Sequence, residues 1–289
     1  MEVRPVPVHT PIRPFSLDEL RSDEIKKHGP RGSALKAEAR RRPKKRATSV
    51  AREPIRPLGY AWYGPCKAVL DFGLALLLLI VLAPAIALTA LLVRATSRGP
   101  AFYTQTRVGR NGRLFTIFKI RTMIDNCESL TGPRWSIPGD PRITPIGHFL
   151  RRTHLDELPQ LINVLRGDMS LIGPRPERPE FTTKLERALP AYPERLRVRP
   201  GVTGLAQVHL PGDTSLASVR TKLAYDLFYI QQLSPGLEAR ILFCTLLRVL
   251  GVSFESIRRI SGIPSENIVE RAVQLVLDGG WTRRWSKSA

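Results

Sequence analysis

The feature that most constrains this chain is an apolar segment that carries no charged residue from Phe72 to Val93. As an α-helix with a rise of about 1.5 Å per residue, the segment would be about 33 Å long, which is enough to cross the hydrocarbon core of a bilayer. Pro84 lies near its middle and removes a backbone hydrogen bond to Ile80, so we expect the helix to kink or break there. The segment therefore predicts a membrane-inserted helix, which we place at residues 62–97.

Basic residues lie on both sides of this apolar segment. Lys67 and a basic tail precede it, and Arg94 and Arg98 follow it. Lys- and Arg-rich flanks tend to stay in the cytosol, so a single crossing would leave one flank on the unfavourable side. A re-entrant helix that bends at Pro84 and returns would keep both flanks in the cytosol. On pattern alone, a spanning helix and a buried helix of a soluble domain remain alternatives.

Residues 1–61 are rich in proline and in Lys and Arg, and they show little periodic apolar pattern. This composition predicts a disordered tail. Its most basic part, residues 40–46, could rest on anionic lipid headgroups. The net charge of the 289 residues is +20, so a nucleic-acid-binding protein is an alternative function. No recognised nucleic-acid motif accompanies that charge, and we expect an anionic membrane and phosphorylated substrates as partners, with no nucleic acid.

The remainder of the chain predicts a helix-rich mixed α/β fold. Two short runs at residues 101–105 and 114–119 flank a glycine-rich turn at 109–112 and predict a small β-hairpin. Apolar periodicity predicts helices at residues 155–166, 177–189 and 215–232. We assign residues 98–253 to one catalytic domain.

Two further helices are predicted towards the end of the chain. The apolar run at residues 237–252 contains a few charges, which suits an amphipathic helix in the membrane interface, although a core helix of the domain fits the pattern equally well. Residues 264–280 predict a last helix with Ser265 as its cap. It lies in a C-terminal extension, residues 254–289, to which the sequence assigns no role.

The residues best suited to chemistry are Asp156 and Glu157, adjacent carboxylates in the first turn of the helix predicted at 155–166. The simplest interpretation is an acidic first turn that complements the helix dipole, with Thr153 as the cap. The same position also keeps a carboxylate ionised beside amides that attract phosphate oxygens. An ionised aspartate is a competent nucleophile towards phosphorus, and its neighbour can bind Mg²⁺.

A phosphorylated substrate also requires cationic donors. Any one candidate could be an ordinary surface charge, but several lie in or beside short, stiff loops, and an arginine fork donates two parallel hydrogen bonds to phosphate. The predicted phosphate-binding residues are Lys119 and Arg121 at the end of a strand, Arg175 between two prolines, and Arg199 before Pro200. The sequence lacks a Walker A loop, a Gly-x-Gly-x-x-Gly fingerprint after a strand and a His-Glu-x-x-His motif.

These motifs, taken in order, resemble those of the bacterial sugar transferase family, the monotopic polyprenyl-phosphate phosphoglycosyl transferases. The resemblance covers roughly residues 62–253. It is carried by FKIRTM at 118–123, LDELPQ at 155–160, NVLRGDMSLIGPRP at 163–176, RPGVTG at 199–204 and Tyr225-Asp226. The chain departs from the family in having Ala83-Pro84 where Ser-Pro is usual and His154 where Ser is frequent.

The resemblance implies an enzyme at the cytoplasmic face of the bacterial inner membrane, with a re-entrant helix and interfacial amphipathic helices. It implies that Asp156 attacks the sugar-bearing phosphate of a UDP-sugar, releases UMP and holds a covalent phosphosugar. A polyprenyl (undecaprenyl) phosphate would then accept the phosphosugar, as the first membrane step of exopolysaccharide, O-antigen or glycoconjugate synthesis. Glu157 would help to bind Mg²⁺. A catalytically inactive membrane scaffold of the same fold is the alternative.

Overall fold

The computed structural model describes residues 60–129, 132, 134–137, 139–213 and 215–277. Almost all of the predicted basic tail, at residues 1–59, lies outside the described residues. The end of the C-terminal extension, after residue 277, lies outside them as well. The described part is a helix-rich mixed α/β fold with one long apolar helix and a small antiparallel hairpin.

The long apolar helix, α1, runs from Tyr60 to Thr96. Within the described part of the chain, its segment Tyr63–Thr96 is the one helix long and apolar enough to cross a membrane, judged by length and composition. The predicted break at Pro84 is wrong at the level of secondary structure, because α1 continues without interruption through this residue. A proline removes only its own N–H donor and disturbs one turn, so the bonds on either side can sustain a single helix.

Two separate stretches of α1 pack against the rest of the protein. Near its start, Lys67 and Asp71 are buried, and near its end Val93 is buried in an apolar cluster with Ile120 and Leu150. The remainder of α1 presents large apolar side chains to the outside. These exposed residues include Leu70, Leu77, Ile80, Val81, Leu88 and Leu91. Both stretches therefore hold α1 to one and the same domain.

The first of these stretches is held by a buried polar group of residues that we call the anchoring cluster. Its members are Tyr63, Lys67, Asp71, Ser170, Tyr229 and Glu238, all of them buried. Glu238 accepts hydrogen bonds from the hydroxyls of Tyr63 and Tyr229, both at 2.6 Å, and pairs with Lys67 Nζ at 2.6 Å. Asp71 accepts a bond from Ser170 Oγ at 2.6 Å and pairs with the same lysine at 3.3 Å. Buried charges persist in a fold only when they are paired in this way.

We expect Glu238→Gln to destabilise the protein by about 3 kcal/mol, because it breaks a buried ion pair and leaves the ammonium of Lys67 with less compensation. The apparent melting temperature in a fixed detergent measures the effect. Glu255→Gln is the matched control, since the side chain of Glu255 is 69% exposed in its pair with Arg259 and such pairs contribute about 1 kcal/mol or less. Equal shifts for the two variants would contradict a stabilising role for the anchoring cluster.

The predicted hairpin is confirmed. Strand β1 (Phe102–Val108) pairs antiparallel with strand β2 (Leu114–Ile120), with Phe102 opposite Ile120. The turn contains Asn111 and Gly112 at φ values of 55° and 78°, a left-handed conformation that glycine and asparagine tolerate best. A second small sheet, which the sequence pattern did not reveal, pairs strands β3 (Ser170–Ile172) and β4 (Gly201–Thr203) in parallel.

Eight more α-helices follow α1 in the described residues. They are α2 (Pro145–Thr153), α3 (Leu161–Leu165), α4 (Pro179–Ala188), α5 (Leu205–His209), α6 (Leu216–Gln231), α7 (Pro235–Val249), α8 (Phe254–Ile260) and α9 (Glu266–Leu277). The helices predicted at 177–189 and 215–232 are thereby confirmed with slightly shorter bounds, and the helix predicted at 237–252 is confirmed but lies two to three residues earlier. The helix predicted at 264–280 is confirmed from Glu266 to Leu277, and its predicted end lies outside the described residues.

For α7 the sequence left two alternatives open, an amphipathic helix in the membrane interface and a core helix of the domain, and the helix has features of both. Ile241 and Cys244 are fully buried against the domain, whereas Phe243, Leu246 and Leu250 at its outer side are more than half exposed. One face therefore belongs to the core, and the opposite face is an exposed apolar surface suited to a membrane interface.

Candidate active site

The acidic pair lies in a 3-10 helix, Leu155–Gln160, which is followed directly by α3. The single α-helix predicted over residues 155–166 is thus two short helices. Thr153 is not the cap, because it is the last residue of α2 and its hydroxyl donates to the carbonyls of Phe149 and Leu150. The chain changes direction at His154, which adopts a left-handed φ of 57° between the two helices.

Asp156 and Glu157 are both buried. Two of the predicted phosphate-binding residues, Lys119 and Arg175, form ion pairs with Glu157. Lys119 Nζ, from β2, lies 2.7 Å from Glu157 Oε1. Arg175, from the loop after β3, donates to Oε1 at 2.6 Å and to Oε2 at 3.3 Å. The structure therefore brings together four of the predicted site residues from three separate parts of the chain.

Asp156 differs from Glu157 in having no partner. Its carboxylate accepts no hydrogen bond and forms no ion pair with any residue in the described ranges. Both residues are buried to a similar degree, at 6% and 9% exposure, so burial does not account for the difference. One carboxylate is held by cations, and its neighbour is left available to react.

The two carboxylates also differ in their pKa. Burial, together with the charge of Glu157, raises the pKa of Asp156 to about 6, while Lys119, Arg151 and Arg175 act in the opposite direction. Burial also tends to raise the pKa of Glu157, but Arg175 and Lys119 hold that pKa well below its usual range. Glu157 is therefore ionised throughout the physiological pH range, and Asp156 becomes ionised near its lower end.

Arg121 is not brought to the acidic pair. Its guanidinium donates to the backbone carbonyls of Ser97, Arg98 and Gly99 and to the hydroxyl of Ser97. Since α1 ends at Thr96, Arg121, one residue beyond β2, binds carbonyls of the segment that directly follows the helix. Arg121 therefore holds the connection between α1 and β1 in this structure.

In the described structure, Arg199 forms no hydrogen bond or ion pair with Asp156 or Glu157. It lines a small cavity of about 20 Å³ together with Lys67, Asp71, Ser170 and Tyr229 of the anchoring cluster. A cavity of this size holds about one water molecule. Its guanidinium has no hydrogen bond or ion pair in the part of the chain that the structure describes, and its contact with a phosphate stays a prediction.

Arg151 is a residue of this site to which sequence reasoning assigned no role. It lies in the last turn of α2, where its Nε donates to Thr122 Oγ1 at 2.9 Å and its Nη1 to Ser136 Oγ at 2.8 Å. Its charge favours the ionised form of Asp156. The sequence did contain a signal for a role of Arg151, because the Arg151-Arg152 pair comes shortly before the acidic residues.

A metal ion at this site would rely on few protein ligands. Among the described residues, no group of three or more His, Cys, Asp or Glu side chains is placed to hold one. Glu157 Oε1 accepts two hydrogen bonds, whereas Oε2 accepts one, at 3.3 Å. A carboxylate oxygen has two lone pairs, so Oε2 and both oxygens of Asp156 keep acceptor capacity. This donor set fits Mg²⁺, which binds through one or two carboxylates and completes its shell with phosphate oxygens and water.

Comparison with known proteins agrees with the motifs. Residues 62–252 match the model of a family described as bacterial sugar transferase. The chain is 39% identical, over 65% of its length, to the UDP-N-acetylgalactosamine-undecaprenyl-phosphate N-acetylgalactosaminephosphotransferase of Aeromonas hydrophila. It is 42% identical, over 64% of its length, to the UDP-glucose:undecaprenyl-phosphate glucose-1-phosphate transferase of Xanthomonas campestris pv. campestris. It is 40% identical, over 64% of its length, to the exopolysaccharide production protein PSS of Rhizobium leguminosarum bv. phaseoli.

The lengths of these relatives differ. The matched region covers 44% of the Aeromonas protein and 39% of the Xanthomonas protein, and thus less than half of either. It covers 94% of the Rhizobium protein. The region that matches the family model, residues 62–252, contains the acidic pair and nearly all of α1.

Proposed function

This chain belongs to the bacterial sugar transferase family, and from this premise we propose that it transfers a sugar 1-phosphate from a UDP-sugar to undecaprenyl phosphate. Relatives that match this region are named as transferases between those two classes of substrate. The observation that carries the proposal is the division of roles in the acidic pair, in which Glu157 is bound by two cations and the neighbouring Asp156 is buried and unpartnered.

In the first step, a carboxylate oxygen of Asp156 attacks the phosphorus that bears the sugar. The bond between that phosphorus and the bridging oxygen breaks, and its electron pair leaves with UMP. The product is an acyl phosphate that joins Asp156 to the phosphosugar. A carboxylate that no cation or donor holds is the better nucleophile, because its lone pairs remain available.

In the second step, a phosphate oxygen of the polyprenyl phosphate attacks the same phosphorus. The bond to Asp156 breaks, and the carboxylate leaves with its electron pair. The lipid-linked diphosphate sugar is released, and Asp156 is ready for another donor. Two displacements at one phosphorus replace a single reaction that would require the nucleotide and the lipid to meet directly.

Lys119 and Arg175 supply positive charge where the diphosphate of the donor would bind. Both already lie within hydrogen-bonding distance of Glu157. The side chain of Arg175 is 47% exposed, so it can turn part of its fork towards a phosphate without leaving the site. Positive charge placed in advance stabilises the charge that develops on the transferred phosphate group.

We assign Mg²⁺ as the cofactor, held by Glu157 and by the diphosphate of the donor. Bound there, it would neutralise charge on the leaving phosphate. The two positive charges of Mg²⁺ cancel the two negative charges of the diphosphate, so the ion and the donor would enter together with little change in net charge.

The same proposal includes the membrane arrangement, a re-entrant α1 with the domain on the cytoplasmic face of the inner membrane. Lys67 and Val93 lie about 39 Å apart along a straight helix, which exceeds the hydrocarbon core of about 30 Å. Both are nevertheless buried against one domain. A helix that crossed the bilayer once would place them on opposite sides, and the basic flanks oppose such a crossing.

The arrangement predicts that residues near both ends of α1 react from the same side of the membrane. Cys66 is exposed near the start of α1, and Thr104 is exposed shortly after its end. With Cys127 and Cys244 replaced by serine, Cys66 and a Thr104→Cys variant should both be labelled by an impermeant maleimide in inverted vesicles, and neither in intact spheroplasts. Labelling of one from each side would rule out the re-entrant arrangement.

The activity itself is tested by incubating the purified protein with undecaprenyl phosphate, Mg²⁺ and a panel of UDP-sugars. The expected result is release of UMP together with a lipid-linked diphosphate sugar for at least one donor. Release of UDP in place of UMP would contradict the proposal, because it would mean that the sugar moved without its phosphate.

A further inference from the structure

The loop Pro174–Pro176 carries Arg175, and outside groups hold each of its three carbonyls. The first carbonyl accepts from Gly201 N at 2.9 Å. The second accepts from Arg195 Nη2 at 2.9 Å, and the third from Arg107 Nη1 at 3.2 Å. Two of the three loop residues are prolines, which have no N–H, so the carbonyls are the main groups through which the backbone can be fixed.

Arg195 is itself immobilised. It is buried, its Nε and Nη2 contact Asp226 Oδ2 at 3.0 and 2.7 Å, and its Nη1 donates to the hydroxyl of Tyr192 at 2.7 Å. All three guanidinium nitrogens thus have a partner, and one of these partners is the carbonyl of Arg175. A planar fork held at every nitrogen defines the position of the carbonyl far better than a flexible ammonium would.

Arg107 holds the other side of the loop. Its Nη2 donates to Gln105 Oε1 at 2.7 Å, and its Nη1 lies 3.6 Å from Glu177 Oε1. The hairpin that contains Arg107 also carries Lys119, which contacts Glu157. The two cations of the acidic pair, Lys119 and Arg175, are therefore tied together through the hairpin.

From these contacts we infer that Arg107 and Arg195 are positioning residues, which hold the Pro174–Pro176 loop so that Arg175 meets Glu157 and the donor phosphates. The inference rests on the proposed function for its catalytic consequence. Neither residue touches the reacting atoms, and each acts through the backbone of the loop. A displacement of about 1 Å at a catalytic group can lower a rate about 100-fold, so the rigidity of this loop bears directly on turnover.

The test compares three lysine substitutions, Arg107→Lys, Arg195→Lys and Arg178→Lys. Arg178 is the matched control, since it is buried and paired with Glu128 at 2.7 Å, and among the described residues it has no hydrogen bond to the loop carbonyls. Arg107→Lys and Arg195→Lys should speed hydrogen–deuterium exchange in a peptide that ends at residue 177 and contains the loop by about tenfold or more and lower kcat about 10- to 100-fold. Arg178→Lys should change neither by more than about twofold.

A double-mutant cycle with Arg175→Lys separates positioning from general destabilisation. If Arg107 and Arg195 act through Arg175, their substitution should lower kcat by less than about twofold once Arg175 is already lysine. If each substitution lowers kcat by the same factor in the Arg175→Lys background as in the wild-type protein, the inference is overturned. Unchanged exchange in the loop peptide would overturn it too, even in an active enzyme. Absence of turnover in the wild-type protein would instead overturn the proposed function. The exchange measurements would still show whether these arginines hold the loop. If Arg195→Lys does not fold, the half-buried Arg107 carries the same test.

Discussion

Asp156→Asn should lower turnover by about four orders of magnitude or more, because the amide cannot form the covalent bond to phosphorus. UMP release from the UDP-sugar measures the loss. Mass spectrometry of the intact wild-type protein, quenched with donor in the absence of lipid acceptor, should find one phosphosugar per chain, and the variant should carry none. Asp213→Asn is the control, since Asp213 pairs with Lys222 away from the site. Full activity in Asp156→Asn would remove Asp156 from the mechanism.

The same substitution should stabilise the protein at neutral pH. The pKa of Asp156 is about 6 in the folded protein, above its ordinary 3.8, so the stability tied to its protonated form is complete below pH 3.8 and is lost as the pH rises through 6. At pH 7.5 the ionised, buried carboxylate opposes folding by about 3 kcal/mol. Asparagine does not ionise. The variant should therefore melt at a higher temperature than wild type at pH 7.5, and at nearly the same temperature at pH 4.

These two outcomes discriminate between a reactive and a structural Asp156. A carboxylate that supported the fold would lower the melting temperature when replaced, and its loss of activity would follow from unfolding. A more stable and inactive variant is the signature of a group that is held in an unfavourable environment for its chemistry. A lower melting temperature at pH 7.5 would contradict the assignment of the raised pKa.

Glu157→Gln should lower kcat by about 100-fold, because it removes the anion that orients Lys119 and Arg175. It should also raise the Mg²⁺ concentration needed for half-maximal activity about tenfold or more.

The pH dependence of activity supplies a sharper result. In the wild-type enzyme, kcat/KM should fall tenfold per pH unit below about 6, as Asp156 becomes protonated.

The acidic limb of that pH profile should move to lower pH in Glu157→Gln. The charge of Glu157 raises the pKa of Asp156, and Lys119 and Arg175 oppose it. Without Glu157, both cations act on Asp156 alone, so its carboxylate stays ionised at lower pH. Glu177→Gln, a change of the same kind outside the acidic pair, should leave the limb in place. An unchanged limb in Glu157→Gln would mean that a different group limits activity at acid pH.

Local features were predictable from the sequence. An uncharged apolar run such as residues 72–93 predicts a long apolar helix, because its length and composition suffice. The hairpin was equally predictable, since a turn at residues 109–112 acts on strands that are neighbours in the chain. The acidic pair Asp156-Glu157 was identifiable because its two members are adjacent. The boundaries around it were not, since the break between the helices depends on the left-handed His154.

Only the tertiary structure distinguished the predicted phosphate-binding residues that contact the acidic pair from those that do not. Lys119 and Arg121 are two residues apart, yet one contacts Glu157 and the other binds the segment that follows α1. Arg175 and Arg199 both lie in proline-containing loops, yet only Arg175 is bound to the acidic pair in the described structure. The sequence specified which residue types were present, because composition and local periodicity are properties of the chain alone. Their partners depend on which unpaired carbonyls and buried carboxylates the folded backbone brings within reach, and those distances arise only when segments far apart in the chain pack together.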